Sequence, residues 1–238
     1  MTETNYPSSR EMISETIPMS LLANFLENVG EHLDEVAVEV DGESYTRQML
    51  GDDAIKFAGW LLQSGLTAGD KIAVISPASY ESIVAAIGAN SIGLSVIVMD
   101  PLDETIVGPF YEELSVYQPK MVLFYDNSAA WMSAAKSYAR YVKVFLAARP
   151  IDPFTKQRFG FRTALKNVET TFEHTIGEIK KYKFPTRKDL PTFYYHNYYL
   201  MSLLTNIING KLVVLSNSSL NNLLYHKPLE TILSGKIS

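Results

Sequence analysis

The chain has 238 residues, of which 47% are hydrophobic and 20% are charged, and its formal net charge is −5. This composition is typical of a globular protein, and the length suffices for one large domain or two small ones. The absence of cysteine excludes disulfides, thiolate catalysis and zinc–thiolate sites, and a total of four histidines argues against metal chemistry. No apolar run reaches the roughly 18–20 residues of a membrane span, and residues 1–10 are polar. We therefore expect a cytoplasmic protein.

The first part of the chain predicts a helix, a β-hairpin and a second helix. Ser20 can cap the first helix, whose apolar positions fall on one face. The alternation over 36–40 predicts a half-buried strand, and an Asp-Gly turn leads to its partner at 44–46. Apolar residues then recur at helical spacing over 50–62, and Gly65 can take the left-handed conformation that ends a helix.

Beyond this point the strands are short continuous apolar runs, which are typical of a sheet covered on both faces. The predicted strands are 72–75, 94–99, 121–124 and 142–146, and the helical stretches between them are 80–92, 105–117 and 129–141. Alternating strands and helices predict parallel βαβ units joined by right-handed crossovers. We expect an α/β fold, a layered parallel sheet with flanking helices, over 17–148.

Four blocks of sequence carry a specific resemblance. They are AVEVDGESYTRQML (37–50), LLQSGLTAGDKIAVISPAS (61–79), GANSIGLSVIVMDP (88–101) and YQPKMVLF (117–124). In this order and spacing they resemble the first subdomain of the AMP-dependent synthetase and ligase family, which includes acyl-CoA synthetases, luciferases and peptide synthetase adenylation domains. The resemblance implies the N-terminal fold of adenylate-forming enzymes, which activate a carboxylate with ATP and commonly transfer the acyl group to coenzyme A.

The phosphate loop of that family has no counterpart in this sequence. The loop reads approximately Ser/Thr-Gly-Thr-Thr-Gly-x-Pro-Lys, and its glycines let backbone N–H groups approach the phosphates. The hydroxyl-rich stretches 168–175 and 216–222 contain no glycine, so neither can wrap a triphosphate. The family uses ATP, Mg and coenzyme A, but for this chain alone we expect no cofactor.

A later stretch, LPTFYYHNYYLMSLLTNIINGKLVVLSN (190–217), resembles the family downstream of the phosphate loop. The resemblance implies an internal deletion of the loop region. It also implies a substrate-binding role for Phe193 and His196, because a histidine often follows the phenylalanine at the acyl pocket of acyl-CoA synthetases. Here Tyr194 takes that place, and His196 lies two residues further on. We favour the alternative that His196 belongs to an aromatic cluster and is satisfied by phenol hydroxyls.

No other residue indicates catalysis. The remaining histidines lack metal-ligand spacing, the chain has no Gly-x-Ser-x-Gly elbow, and the Asp-Pro pair at 100–101 is typical of a turn. We therefore assign no catalytic residue and no metal site.

The region 149–189 is basic, although the whole chain is acidic. Its apolar residues repeat every three or four positions between Phe161 and Ile179, so a helix here would be amphipathic. We interpret 149–189 as a basic amphipathic connector and 190–238 as a partial second α/β subdomain. One hypothesis is weak contact of 159–183 with an anionic membrane, and the more common alternative is a helix that covers the core with its lysines solvated. Nucleic acid is not expected, because no binding motif accompanies the charge.

Two functional hypotheses follow. The first is a truncated or internally deleted relative of a carboxylate-activating ligase of the acyl-CoA synthetase type, connected with fatty acid metabolism and inactive alone. Its partner would be a complementary ligase fragment that carries the phosphate loop. The second is a non-catalytic acyl-binding or protein-interaction module built on the same fold. Deletion of part of a large domain should expose apolar surface, so a homo-oligomer is also expected.

Overall fold

The computed structural model describes residues 13–16, 20–76, 78–99, 114–124, 142–149, 156–157, 160–169, 171–181, 191–195 and 199–215. The strands are β1 (Ile13–Thr16), β2 (Val36–Val40), β3 (Glu43–Thr46), β4 (Lys71–Ile75), β5 (Ser95–Met99), β6 (Met121–Phe124), β7 (Val144–Ala147), β8 (Thr192–Tyr195) and β9 (Val213–Leu215). The helices are α1 (Leu21–Val29), α2 (Arg47–Gln63), α3 (Tyr80–Ser91), α4 (Phe161–Lys166), α5 (Phe172–Lys181) and α6 (Tyr199–Ile208). Within these ranges no helix combines the length and the apolar character that crossing a membrane requires.

The main sheet has six strands in the order β1-β8-β5-β4-β6-β7. The five strands from β8 to β7 are parallel to their neighbours, and β1 pairs antiparallel with β8 at one edge. Parallel strands need crossover connections, and α3 lies in the connection from β4 to β5. The predicted α/β fold, a layered parallel sheet with flanking helices, is confirmed.

Alternate side chains of the main sheet enter two separate cores. Ile72 and Val74 of β4 belong to a large core that includes residues of α1, α2 and α3. Ala73 and Ile75 belong to a smaller core on the opposite face, together with Leu114. Because successive side chains of a strand point to opposite faces, burial of both faces accounts for the continuous apolar runs in the sequence.

A second sheet has three strands in the order β3-β2-β9. The turn between β2 and β3 has positive φ at Asp41 (51°) and Gly42 (84°), the combination that a two-residue hairpin turn requires. This confirms the predicted hairpin. β9 runs parallel to β2 on its other side, so a strand from the far part of the chain completes this sheet.

Hydroxyl side chains begin the first three helices. Ser20 accepts a hydrogen bond from the N–H of Ala23 at 3.2 Å, and Thr46 accepts one from the N–H of Met49 at 3.2 Å. Ser79 caps α3 in the same way. Such caps satisfy backbone donors that have no partner inside the helix. The predicted helix starting at Ser20 is confirmed, as is the helix that ends before Gly65, where φ is 78°.

α3 packs very closely on α2. All twelve residues of α3 are buried. A Cβ atom placed on Gly88 would lie 2.7 Å from the carbonyl oxygen of Ala54, so only glycine allows the two backbones to approach this closely. The helix therefore forms the centre of the large core.

Between Phe161 and Lys181, the described residues of the basic region form two helices, α4 and α5, and not the single amphipathic helix expected from its periodicity. Asn167 ends α4, and the hydroxyl of Thr171 accepts a hydrogen bond from the N–H of His174 at the start of α5. A side-chain cap of this kind favours a new helix start over continuation. Ile176 and Ile179 of α5 pack against the large core. The proposed membrane contact of 159–183 stays a prediction.

The strand and helices predicted between residues 105 and 146 are observed only in part. The strand expected at 142–146 is observed at Val144–Ala147, as β7. Of the helix expected at 105–117, residues 114–117 are helical and the rest lies outside the described residues, as does the helix expected at 129–141. The boundaries at 148 and 189 stay a prediction, although β8 and β9, from the predicted third region, extend both sheets.

Candidate functional site

The carboxyl edge of the main sheet is the candidate site, because ligands of open parallel sheets bind where the strand order reverses. β5 lies on one side of β4 and β6 lies on the other, so the reversal occurs beside β4. β4 ends at Ile75, and α3 begins five residues later at Tyr80. The start of α3 therefore lies at the centre of this edge.

The serines of this edge serve the helix start. The hydroxyl of Ser79 accepts a hydrogen bond from the N–H of Ser82 at 3.2 Å, and the hydroxyl of Ser82 accepts one from the N–H of Ser79 at 2.8 Å. The hydroxyls of Ser76 and Ser79 lie 3.4 Å apart. This reciprocal capping box uses the donors that an anion would otherwise find at a helix N-terminus.

Two carboxylates share one guanidinium at the same edge. Arg162 of α4 places Nη1 3.2 Å from Oδ2 of Asp53 in α2, and Nη2 3.4 Å from Oε1 of Glu81 in α3. The other oxygen of Glu81 lies 3.4 Å from Nε of Arg149. The Glu81 side chain is only 4% exposed. Because a buried carboxylate is unfavourable unless it is paired, the two arginines stabilise its charge.

Two stacked tyrosine rings lie beside the same guanidinium. The rings of Tyr45 and Tyr80 stack with their centroids 3.8 Å apart, and Cζ of Arg162 lies 4.9 Å from the Tyr80 centroid and 5.4 Å from that of Tyr45. The hydroxyl of Tyr80 donates to Oδ2 of Asp53 at 3.0 Å. We call Tyr45, Asp53, Tyr80, Glu81 and Arg162 the Arg162 cluster. The cluster joins the hairpin and three helices.

The phenols of the Arg162 cluster stay protonated at neutral pH. Burial, followed by the hydrogen bond to Glu43, raises the pKa of Tyr45 to about 12. Burial, followed by the charge and hydrogen bond of Asp53, raises the pKa of Tyr80 well above its usual range. Both hydroxyls are therefore hydrogen-bond donors to carboxylates. The arrangement provides a fixed, oriented cation, which can contribute to anion binding but does not make either phenol a base.

A cavity of about 530 Å³ opens beside the Arg162 cluster, between α2, α4 and α5. Asp53, Lys56, Arg162 and Lys166 supply its charged lining, and most of the remaining lining is apolar. Its volume falls within the range of about 300–1,000 Å³ typical of small-molecule sites. This is the concave surface that accompanies the cluster.

Of the two residues with a predicted substrate role, only Phe193 lies within the described part of the chain. Phe193 lies in β8, with its side chain fully buried in the large core, and pairs with Glu15 of β1 and Val96 of β5. His196 lies outside the described residues. Their substrate role stays a prediction.

The sequence did not identify the Arg162 cluster as a site. Asp53 and Arg162 are separated by 109 positions, and Glu81 and Arg162 by 81, so no local spacing relates them. One sequence feature could have indicated it. Glu81 is the only charged residue of α3, a helix that is otherwise apolar or weakly polar all round and therefore buried, so this carboxylate needed a cation from elsewhere.

Metal ions and triphosphates find little support in the described geometry. Across the described ranges, no group of three or more His, Asp or Glu side chains could hold a metal ion. Glu81 places a carboxylate in the first turn of α3, where a phosphate would otherwise bind, and Arg162 and Arg149 are paired with carboxylates. The residues described at this edge therefore do not fit a triphosphate.

Several solved structures share this fold. Apo MatB from Rhodopseudomonas palustris has a TM-score of 0.52 and 16% identity, over 64% of this chain and 28% of that one. A benzoate CoA ligase from Burkholderia xenovorans LB400 has a TM-score of 0.52 and 16% identity, over 63% and 29%. Coronafacic acid ligase from Pectobacterium brasiliense has a TM-score of 0.68 and 11% identity, over 86% and 47%. The chain thus spans less than half the length of each of these ligases.

Sequence comparison adds the family. No curated protein sequence matches the chain. Residues 25–105, which run from α1 to beyond β5, match the family model described as AMP-binding enzyme. This segment contains three of the four blocks on which the resemblance was based, and the fold agrees with it. Residues 25–105 are therefore similar to the AMP-binding enzyme family, and the chain shares its fold with solved ligases.

Proposed function

We propose that this chain acts as part of a carboxylate-activating, adenylate-forming ligase, and that residues 1–238 do not form an acyl adenylate on their own. The observation that carries the proposal is the family match over 25–105, in a chain that lacks the glycine spacing of the phosphate loop. The loop motif places its two glycines three positions apart. No two of the 13 glycines in this chain are closer than four positions.

The paired arginines support the proposal that the chain does not form an acyl adenylate on its own. Arg162 and Arg149 are the cations beside the start of α3, and both contact Glu81. A triphosphate that binds these arginines would have to displace that carboxylate, which is buried. The chain therefore needs a phosphate loop supplied by another segment or by a complementary polypeptide.

A carboxylic acid is the proposed substrate class. The names of two ligases that share the fold contain benzoate and coronafacic acid, both of which are carboxylic acids. By the same resemblance, we propose that acyl recognition involves Phe193 of β8 and His196, which follows β8 in the sequence. Fatty acids are included in this class, and the cytoplasm is the proposed location.

An exchange assay tests the proposal. The purified chain is given ATP, Mg²⁺, labelled pyrophosphate and a panel of carboxylic acids, with and without a polypeptide that carries the phosphate loop and C-terminal domain of a ligase. We expect no carboxylate-dependent exchange from the chain alone and measurable exchange from the combination. Exchange by the chain alone, with contaminating ligases excluded, contradicts the proposal.

The same assay separates the alternative of a non-catalytic module. A module would not restore exchange with any complementary polypeptide. Light scattering of the same preparation tests the proposed homo-oligomer, which a monodisperse monomer would exclude.

A further inference from the structure

The cavity between α2, α4 and α5 has a lining that is both cationic and apolar. We propose that it binds a small amphipathic anion, a molecule with one anionic group on a short apolar chain. This inference goes beyond the proposed function, because it holds whether or not the chain takes part in carboxylate activation.

The charged lining of the cavity carries a net positive charge. Lys56, Arg162 and Lys166 contribute three cations, against the single carboxylate of Asp53. That carboxylate already accepts from the hydroxyl of Tyr80 at 3.0 Å and from Arg162 at 3.2 Å. Lys166 is exposed and has no ion pair with any residue that the structure describes. Lys56 lies 3.8 Å from Oδ1 of Asp53, and Arg162 is paired with Asp53 and Glu81. An anion in the cavity would therefore meet one cation, Lys166, that no described carboxylate neutralises.

The guanidinium of Arg162 is fixed before any ligand arrives. Asp53 and Glu81 hold two of its nitrogens, and the Tyr80 ring lies 4.9 Å from its Cζ. The side chain nevertheless remains 40% exposed and lines the cavity. A cation held in this way loses little conformational entropy on binding, which favours affinity.

Part of the apolar lining extends beyond the Arg162 cluster. On α2, Gly59 follows Asp53 by six residues, about 9 Å along a helix. A Cβ on Gly59 would meet Val168 at 3.4 Å and Thr175 at 2.6 Å, so these two lining residues mark the far end. The cavity thus combines the charged lining beside the Arg162 cluster with apolar lining that extends beyond it.

Other apolar side chains complete the lining of the cavity. Leu165 precedes Val168 by three positions, and Phe172, which is 44% exposed, begins α5. A ligand that covers an exposed hydrophobic side chain of this size lowers the free energy of the complex. A purely polar anion would leave this surface uncovered, which is why we assign an apolar chain to the ligand.

Calorimetric titration of the full chain tests the class of ligand. The probes are hexanoate, hexanol and inorganic phosphate at equal ionic strength. We expect saturable binding of hexanoate that weakens as salt is added. Hexanol lacks the anionic group and phosphate lacks the apolar chain, so we expect each to bind at least about tenfold more weakly. Equal binding of hexanol removes the anionic part of the proposal, and equal binding of phosphate removes the apolar part. The absence of hexanoate binding overturns it entirely.

Substitutions locate the site. Lys166→Ala should weaken hexanoate binding about two- to fivefold, which is the size of an exposed charge interaction. Phe172→Ala should weaken it about three- to tenfold through lost apolar contact. Lys180→Ala is the matched control, because Lys180 is an exposed lysine of α5 that does not line the cavity. Equal effects of Lys166→Ala and Lys180→Ala would place the binding elsewhere and contradict the proposal, whatever the outcome of the exchange assay.

Discussion

α3 and α5 both pack against α2, but they do so in opposite ways. Every residue of α3 is buried, and its single carboxylate, Glu81, is paired with two arginines. In α5 only Thr175 is buried, and the lysines at its end are exposed. α3 thus belongs to the interior of the fold. α5 covers it from outside and leaves a cavity against α2.

The contacts of α2 with α3 and with α5 depend on different atoms. Where α3 meets α2, the close approach is between backbones, at Gly88 and the carbonyl of Ala54. Where α5 meets α2, the close approach is between Gly59 and the side-chain hydroxyl of Thr175. A backbone cannot move without its helix, whereas a side chain can rotate. The α3 contact is therefore the less tolerant of the two.

Gly88→Ala should have the largest effect. The added Cβ would lie 2.7 Å from the carbonyl oxygen of Ala54, and we expect a loss of about 2–3 kcal/mol in the free energy of unfolding, as measured by urea denaturation. The matched control is Gly177→Ala in α5, where nothing lies within 4 Å of the new atom. The control should be neutral or stabilising by up to about 1 kcal/mol. Similar losses for both variants would contradict the contrast between the helices.

Arg162→Ala should have the next largest effect. It removes the cation shared by Asp53 and Glu81 and leaves a carboxylate on α3 with less compensation. We expect a loss of about 2 kcal/mol, below the value for a fully buried pair because Arg162 is partly exposed. Arg162→Lys should restore less than half, since an ammonium cannot contact both carboxylates and stack on Tyr80. Full rescue by lysine in urea denaturation would show that charge alone matters.

Gly59→Ala should have a smaller effect than Gly88→Ala. Its Cβ would lie 2.6 Å from the hydroxyl of Thr175, which can rotate away at the loss of its hydrogen bond to the carbonyl of Thr171. We expect a loss of about 1 kcal/mol. In a double-mutant cycle with Thr175→Ala, the two changes should be non-additive, because the second removes the clashing atom. Strict additivity would mean that the two residues do not meet.

The smallest effect concerns the exposed side of α5. The hydrogen bond from Lys181, 2.7 Å long, lowers the pKa of Glu178. The pairing therefore favours the folded state above the ordinary pKa of 4.5, and this contribution disappears as the pH falls through the lowered value. Lys181→Ala should move the pKa of Glu178 back toward 4.5, as followed by NMR titration of its carboxyl group. An unchanged pKa would show that the pair does not persist in solution.

The sequence predicted the elements whose determinants are local. The hairpin turn at Asp41 and Gly42 and the helix cap at Ser20 depend on a few adjacent residues, and both are observed. It did not predict that β8 lies between β1 and β5, because strand pairing over such separations is not encoded in local periodicity. It also read the basic region as one helix, because apolar spacing continues across Asn167 although the cap at Thr171 starts a new helix.

The sequence did not predict the Arg162 cluster for the same reason. Arg162 lay within a basic stretch that resembles a solvated surface, and its partners Asp53 and Glu81 come from elements far away in the sequence. Only the fold brings the three together. The family resemblance was visible earlier, since it depends on the order of blocks along the chain and not on contacts between them.

The most direct test of the account is nucleotide binding by the purified chain. In one calorimetric experiment, Mg²⁺-ATP and hexanoate are titrated separately into the same preparation of residues 1–238. We expect no saturable heat from ATP, because the chain has no phosphate-loop motif and Glu81 occupies the start of α3, and we expect saturable binding of hexanoate. Stoichiometric binding of ATP would contradict the claim that this chain depends on a phosphate loop from elsewhere.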